Sequence, residues 1–232
     1  MTSPKDTLLK KEIAKCCRLF EALGLFDFSG HVSARVPGTG EIYINSRDSV
    51  RSKVGLDDII KYSFKEGSLD KERKEPSEIF IHTEIYQSRP EINAVAHIHA
   101  PAVISFSILK KTFIPVIPRA SVLAESVPIY HDSRLINTLE RGQLLAKTLG
   151  KHKAVILRAH GAVVVAKTLK ELFFNAVSLE MNVQHQIIAY QSGIEPEALS
   201  KEEIEEGKRI YQERLFAKLW EYHTTKLNLE IS

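Results

Sequence analysis

The sequence predicts an α/β layered domain with a mixed rather than wholly parallel sheet. Helical apolar spacing recurs near both ends and in the middle, and strand-like segments lie between as hairpin-like pairs. Two of these segments, 154–157 and 162–166, are apolar throughout, as strands covered on both faces are.

Each element has its own signal. Ser3-Pro4 followed by Asp6 reads as an N-cap, a first-turn proline and an early acid. Leu9, Ile13, Cys16, Cys17, Phe20 and Leu23 then recur at helical spacing, so the first helix should run from about 4 to 23. "FDFSGHVSARV" and "EIYINS" alternate like strands around the turn-rich "PGTGE", a predicted hairpin. Pro76-Ser77 precedes "EIFIHTEIYQSR", with Ser77 the expected N-cap and Glu78 in the first turn. "INAVAHIH" suits a buried strand, and Pro101 should open a short helix through Leu109. "KAVILRAHGAVVVAK" predicts two buried strands joined around His160-Gly161. A long helix from Thr168 to Gln191 follows, and one final amphipathic helix should span about 201–223.

The 232 residues are 44% hydrophobic and 26% charged, enough for one sizeable core, and no linker or repeat divides them. A single domain, 1–232, is expected. Net charge is +3, from 32 basic and 29 acidic residues spread along the chain, so no basic stripe points to a nucleic-acid partner. Cys16 and Cys17 are adjacent and offer no disulfide framework, which fits a reducing cytoplasm. Neither a spanning apolar run nor a signal-like start is present, so a cytoplasmic protein without a membrane partner is expected.

"AVAHIHAPAV" sets two histidines inside an apolar run. Alternate strand residues share a face, so His97 and His99 place two imidazoles where one metal ion bridges them. Two independently hydrogen-bonded core histidines are the alternative. His160, at the end of another apolar strand, precedes a glycine that lets the backbone turn closely past an ion or substrate. Three imidazoles leave a fourth coordination position open, as in a catalytic zinc site, and the Glu78 carboxylate can occupy or guard it. Zinc suits these ligands best, while Mn2+, Fe2+, Co2+ or Ni2+ would also be accepted.

The blocks "SGHVSAR" (29–35), "PSEIFIHTEIYQSRPEINAVAHIHA" (76–100) and "RAHGAVVVA" (158–166) resemble the class II aldolase and adducin family. The resemblance runs from the first helix to about residue 190. It implies a three-layer α/β/α fold with a central mixed, largely antiparallel sheet, and a fourfold-symmetric homotetramer with sites near subunit interfaces. It makes His97, His99 and His160 the metal ligands. Glu78 falls on the family's catalytic glutamate, which also ligates the resting metal.

The phosphate-binding pattern of the family's sugar-phosphate enzymes is broken. Gly30-His31 stands in "GHVS" where an Asn is usual, "INSRDSVRSKVG" replaces a Thr-Gly pair, and Pro76-Ser77 replaces paired serines. The proton-donating tyrosine of fuculose-phosphate aldolase falls near Pro118-Arg119, so that acid is absent or replaced. These features resemble the metal-dependent decarboxylases of the same family, as does the late Trp220-Glu221-Tyr222. The resemblance makes Gly30, His31, Ser46, Arg47, Ser77 and Arg119 candidate substrate contacts. Arg47, Arg51 and Arg119 are candidate bidentate partners for a carboxylate.

The expected function is a metal-dependent carbon–carbon lyase, with a small hydroxylated carboxylate as substrate and decarboxylation as reaction. Sugar-phosphate aldol cleavage or epimerisation is the alternative within the family. A non-catalytic, adducin-like interaction module is the alternative outside enzymology.

Overall fold

The structure, a computed structural model, describes residues 3–231. Helix α1 (Pro4–Ala22) opens as the sequence predicts, with Ser3 Oγ accepting from the Asp6 amide at 3.1 Å. The hairpin follows as β1 (His31–Arg35) and β2 (Glu41–Asn45), in antiparallel register with Ser33 opposite Ile44. Next come β3 (Ile59–Ser63), β4 (Gly67–Ser68), α2 (Ile79–Ser88), β5 (Ala94–Ile98), α3 (Pro101–Ser107) and β6 (Ile129–Tyr130). The chain continues through α4 (Leu139–Leu149), β7 (Ala154–Leu157), β8 (Gly161–Ala166), α5 (Leu169–Gln191), α6 (Lys201–Ile210) and α7 (Glu213–Lys226).

One eight-stranded sheet, in the order β4-β3-β2-β1-β5-β8-β7-β6, forms the middle layer. All neighbours are antiparallel except β6 and β7, which is the mixed, largely antiparallel sheet expected. Alternation along the central strands sorts the two faces. Ala94, Ala96, Ile98, Ala154, Ala162 and Ala166 face the layer of α1, α3, α5 and α7, where Ile13, Phe20, Phe173 and Trp220 pack. Val95, Val155, Leu157, Val163 and Val165 face α2 and α4, against Ile81, Ile85, Leu145 and Leu149. Small residues on one side make room for bulky helices, and branched residues fill the other.

Several elements depart from the expectation. The predicted final helix is two, because Tyr211 (φ −85°, ψ 82°) and Gln212 (φ −124°, ψ −171°) leave helical geometry. The break lets one apolar stripe serve two surfaces. Ile204 and Gly207 of α6 turn inward beside the 3-10 segment Pro118–Leu123, while Phe216 and Trp220 of α7 pack on Phe174 and Phe173 of α5. Helix α2 starts one residue later than predicted, with Glu78 rather than Ser77 at the N-cap position and no side-chain cap. Ser77 is exposed, and the turn is closed by the backbone bond from Ile79 N to Pro76 O. Helix α3 ends at Ser107, two residues short of Leu109.

Helix α4 carries little sequence warning because Gly142 interrupts it. A Cβ there would collide with the Phe80 carbonyl, so glycine is what lets α4 lie against α2. The helix is nevertheless well started, by Thr138 Oγ1 accepting from Arg141 N. Among the described residues, no helix is long and apolar enough to cross a membrane.

Candidate metal centre

The histidines gather at one end of the sheet, where β5 finishes and β1 and β8 begin. His31, first in β1, sits directly opposite His97 in β5. His97 shares the side of Val95 and so points toward the α2/α4 layer. Strand pairing stops at Ile98, and His99 instead donates its amide to Leu25 O, yet its ring returns to within 4.7 Å, centroid to centroid, of the His97 ring. His160 lies 4.8 Å from His97 and 5.3 Å from His99 by the same measure.

Local backbone explains how His160 arrives. Ala159 adopts φ 56°, a left-handed conformation rare outside glycine, and its amide is held by Ser107 Oγ at 2.8 Å. Gly161 follows against the Ile98 carbonyl, where any Cβ would collide. Gly30, at φ 96°, turns the chain into β1 before His31.

One nitrogen from each of His97, His99 and His160 lies within 4.8 Å of the others. Two of the rings have their tautomer fixed. His97 Nδ1 donates to Ala162 O at 3.1 Å, and His99 Nδ1 donates to the Asp27 carboxylate at 3.0 Å. Each therefore keeps a lone pair on Nε2, and the two Nε2 atoms face each other at 2.9 Å. Two lone pairs at that distance repel unless a cation lies between them, so the residues fit a shared metal ion. With such an ion, Asp27 would complete a carboxylate–histidine–metal arrangement, which raises ligand basicity.

Glu78 closes the cluster. Its Oε1 accepts from Ile136 N at 2.8 Å, leaving Oε2 aimed 3.5 Å from His97 Nε2 and 3.7 Å from His160 Nε2. These approaches are not ion pairs, because the imidazoles are held neutral. Burial, then the neighbouring His99 and His160, push His97 well below the usual histidine range. Burial also lowers His160, against the opposing pull of Glu78. Neutral imidazole is the metal-binding form. Burial pushes the Asp27 carboxyl up, but hydrogen bonds from His99 and the Ser29 amide outweigh it, and its pKa is lowered.

The candidate substrate contacts divide. His31 is buried at the cluster, and with Glu78 and His97 it forms a second trio with ligand atoms within 4.8 Å of one another. Arg47 is exposed beside Asp27 and Phe28, lining a surface cavity of about 410 Å3. Ser46 is buried next to it, its Oγ without a hydrogen-bond partner. Arg51 is no free carboxylate clamp: its fork is buried and spent on Gly30 O, Ser46 O, Ser49 and Arg47 O. Arg119 is not brought to the histidines. It lies on the other side of the sheet, its guanidinium 5.2 Å from the Phe174 ring centre and in contact with Met181 Sδ.

Asp27, Ser107 and Ile136 carry no signal in the sequence that links them to the cluster. Asp27 and His99 are 72 positions apart, and Ser107 and Ala159 are 52 apart, so no local pattern links them.

The model of the class II aldolase and adducin N-terminal domain matches residues 11–187. A 3,4-dihydroxyphthalate decarboxylase of Rhodococcus jostii is 28% identical over 194 residues, covering 78% of this chain and 80% of that protein. An L-fuculose phosphate aldolase of Methanococcus vannielii is 28% identical over 172 residues, covering 74% of this chain and 91% of that one. Among solved structures, an aldolase II superfamily protein from Pseudomonas syringae superposes with TM-score 0.84 at 21% identity, covering 97% of this chain and 94% of that one. With the match spanning most of the sequence and the fold agreeing, the chain belongs to the class II aldolase and adducin family.

Proposed function

We propose that this protein is a divalent-metal-dependent lyase that removes carbon dioxide from a small, non-phosphorylated, hydroxylated carboxylic acid. The facing Nε2 lone pairs of His97 and His99, with Glu78 Oε2 and His160 beside them, carry the metal-dependent part of the reading. His31 where the sugar-phosphate enzymes resemble one another in an Asn, and the likeness to 3,4-dihydroxyphthalate decarboxylases, support the substrate class.

His97, His99 and His160 would hold the ion, with Glu78 as a fourth ligand in the resting state. Zinc suits this set best. When bound, the ion supplies a Lewis acid that stabilises the negative charge left by carbon–carbon cleavage. The chain's own residues do the rest. Gly30 and His31 meet the substrate on the β1 side, and Ser46 and Arg47 flank the mouth where a carboxylate would enter. Glu78 Oε2 would take the proton from the substrate's hydroxyl and return it to the carbon that loses the carboxylate as carbon dioxide. Ile136 N keeps the other oxygen fixed, so the carboxylate swings about a held point.

The test pairs two assays on protein of known metal content. One measures carbon dioxide release from a panel of hydroxylated aromatic and aliphatic carboxylates, the other aldol cleavage of ketose phosphates. Metal-dependent release of carbon dioxide supports the proposal. Formation of dihydroxyacetone phosphate would replace it with the aldolase reading, and absence of bindable divalent metal would favour an interaction module. A homotetramer is part of the same reading, checked by light scattering.

A further inference from the structure

Behind His31 lies a chain of buried polar groups that the proposed chemistry leaves unused. His31 Nδ1 is 2.6 Å from His82 Nε2, His82 Nδ1 is 2.6 Å from Ser33 Oγ, and Ser33 Oγ is 2.9 Å from the Tyr86 hydroxyl. All four residues are almost wholly enclosed, with Ser33 and His82 at 0% exposure. Two elements build the chain: His31 and Ser33 share a face of β1, and His82 and Tyr86, four apart, share a face of α2. Arg35 secures its far end, donating to Tyr86 O at 2.9 Å with its guanidinium 4.8 Å from the Tyr86 ring centre.

Protons can run through such a chain in two directions, with opposite results at the metal centre. If His82 Nδ1 donates to Ser33, then His31 Nδ1 donates to His82 and His31 Nε2 is left as a lone pair. In that case His31 joins Glu78 and His97 as a metal ligand, and their ligand atoms are already within 4.8 Å of one another. If Ser33 donates to His82 Nδ1, His82 Nε2 donates to His31 Nδ1, and His31 Nε2 carries a proton.

Acceptor strength selects the second direction. An imidazole nitrogen is a better acceptor than a phenol oxygen, so Ser33 gives its proton to His82 Nδ1, 2.6 Å away, and accepts from Tyr86.

We propose that Tyr86, Ser33 and His82 are positioning residues that hold His31 as a neutral imidazole protonated on Nε2. His31 then offers an N–H donor to an anionic oxygen of the substrate and is withheld from the metal. The substrate half of this inference rests on the proposed function; the tautomer half does not.

The test uses full-length protein with 15N-labelled histidine, its ring tautomers read by long-range 1H–15N correlation before and after addition of zinc. The expected result is an Nε2 proton on both His31 and His82, with zinc altering the nitrogens of His97, His99 and His160 and leaving His31 protonated. An Nδ1 proton on His31, or zinc on its Nε2, overturns the proposal. Failure of zinc to bind anywhere would sink the metal-dependent lyase instead, and the tautomers of the metal-free protein would still decide the present point. A second arm compares His82→Gln, whose amide N–H can still donate to His31, with His82→Leu. Once a substrate is in hand, His82→Leu should lower kcat roughly 10–100-fold and His82→Gln should recover part of it. Equal losses in the two variants would mean that His82 only fills space.

Discussion

The Asp27 carboxylate accepts a hydrogen bond from His99 Nδ1 at 3.0 Å, tying the loop after α1 to the candidate metal centre. Removing that acceptor frees the ring to rotate and lowers its basicity. Asp27→Ala should weaken zinc binding by roughly 10–100-fold. Asp27→Asn should lose less, since its amide oxygen can still accept. Competition against a chromophoric chelator measures both. Unchanged affinity in Asp27→Ala would show that the hydrogen bond does not orient a ligand.

Glu78→Gln keeps an oxygen for Ile136 N and removes the carboxylate facing His97 and His160. The variant should still bind one equivalent of metal on its three histidines, while turnover falls by about 10²–10⁴-fold. Metal analysis and initial rates on the same sample check this. Turnover at the parent rate with intact metal would remove Glu78 from the chemistry.

The buried histidines make stability depend on pH in a stated direction. Burial pushes His82 down to about 3 in the folded chain, whereas an unfolded chain titrates it near its ordinary value of about 6.5. Between those values the unfolded state binds the extra proton. Stability should therefore be full above the unfolded value, fall as pH drops below it, and level off near the folded one, with a slope approaching ~1.4 kcal/mol per pH unit for this group. Burial lowers His31 and His97 in the same sense. Urea midpoints of metal-free protein from pH 7 to 5 should decline, and His82→Gln should flatten the decline by about one proton.

Trp220 is 1% exposed, edge-on to Phe173 at 5.7 Å between ring centres. It acts as core, so Trp220→Ala should cost ~3–5 kcal/mol in chemical denaturation. A much smaller loss would mean that α7 is a mobile cover rather than a packed layer.

The sequence makes the cluster legible where chemistry and spacing coincide. His97 and His99 stand out because two imidazoles on one face of an apolar strand suit a metal better than a plain core, and His160 because a glycine follows it. Glu78 is located by resemblance. What stays hidden depends on distant meetings: Asp27 resembles any loop acid, and His82 and Tyr86 look like parts of an apolar helix face until β1 lies under α2. Arginine suits a carboxylate, so the sequence alone makes Arg51 and Arg119 candidate partners for one. Folding spends the first on backbone carbonyls and lays the second over Phe174. The helix break at Tyr211 was hidden for a related reason, since an unbroken stripe of apolar spacing cannot say that its two halves meet different surfaces.

The outermost strands of the sheet, β4 and β6, are only two residues long. Each therefore offers few open backbone donors and acceptors to another chain, a device that discourages sheets from growing edge to edge. Association of copies through a continued sheet is thereby disfavoured relative to contacts through helices and loops.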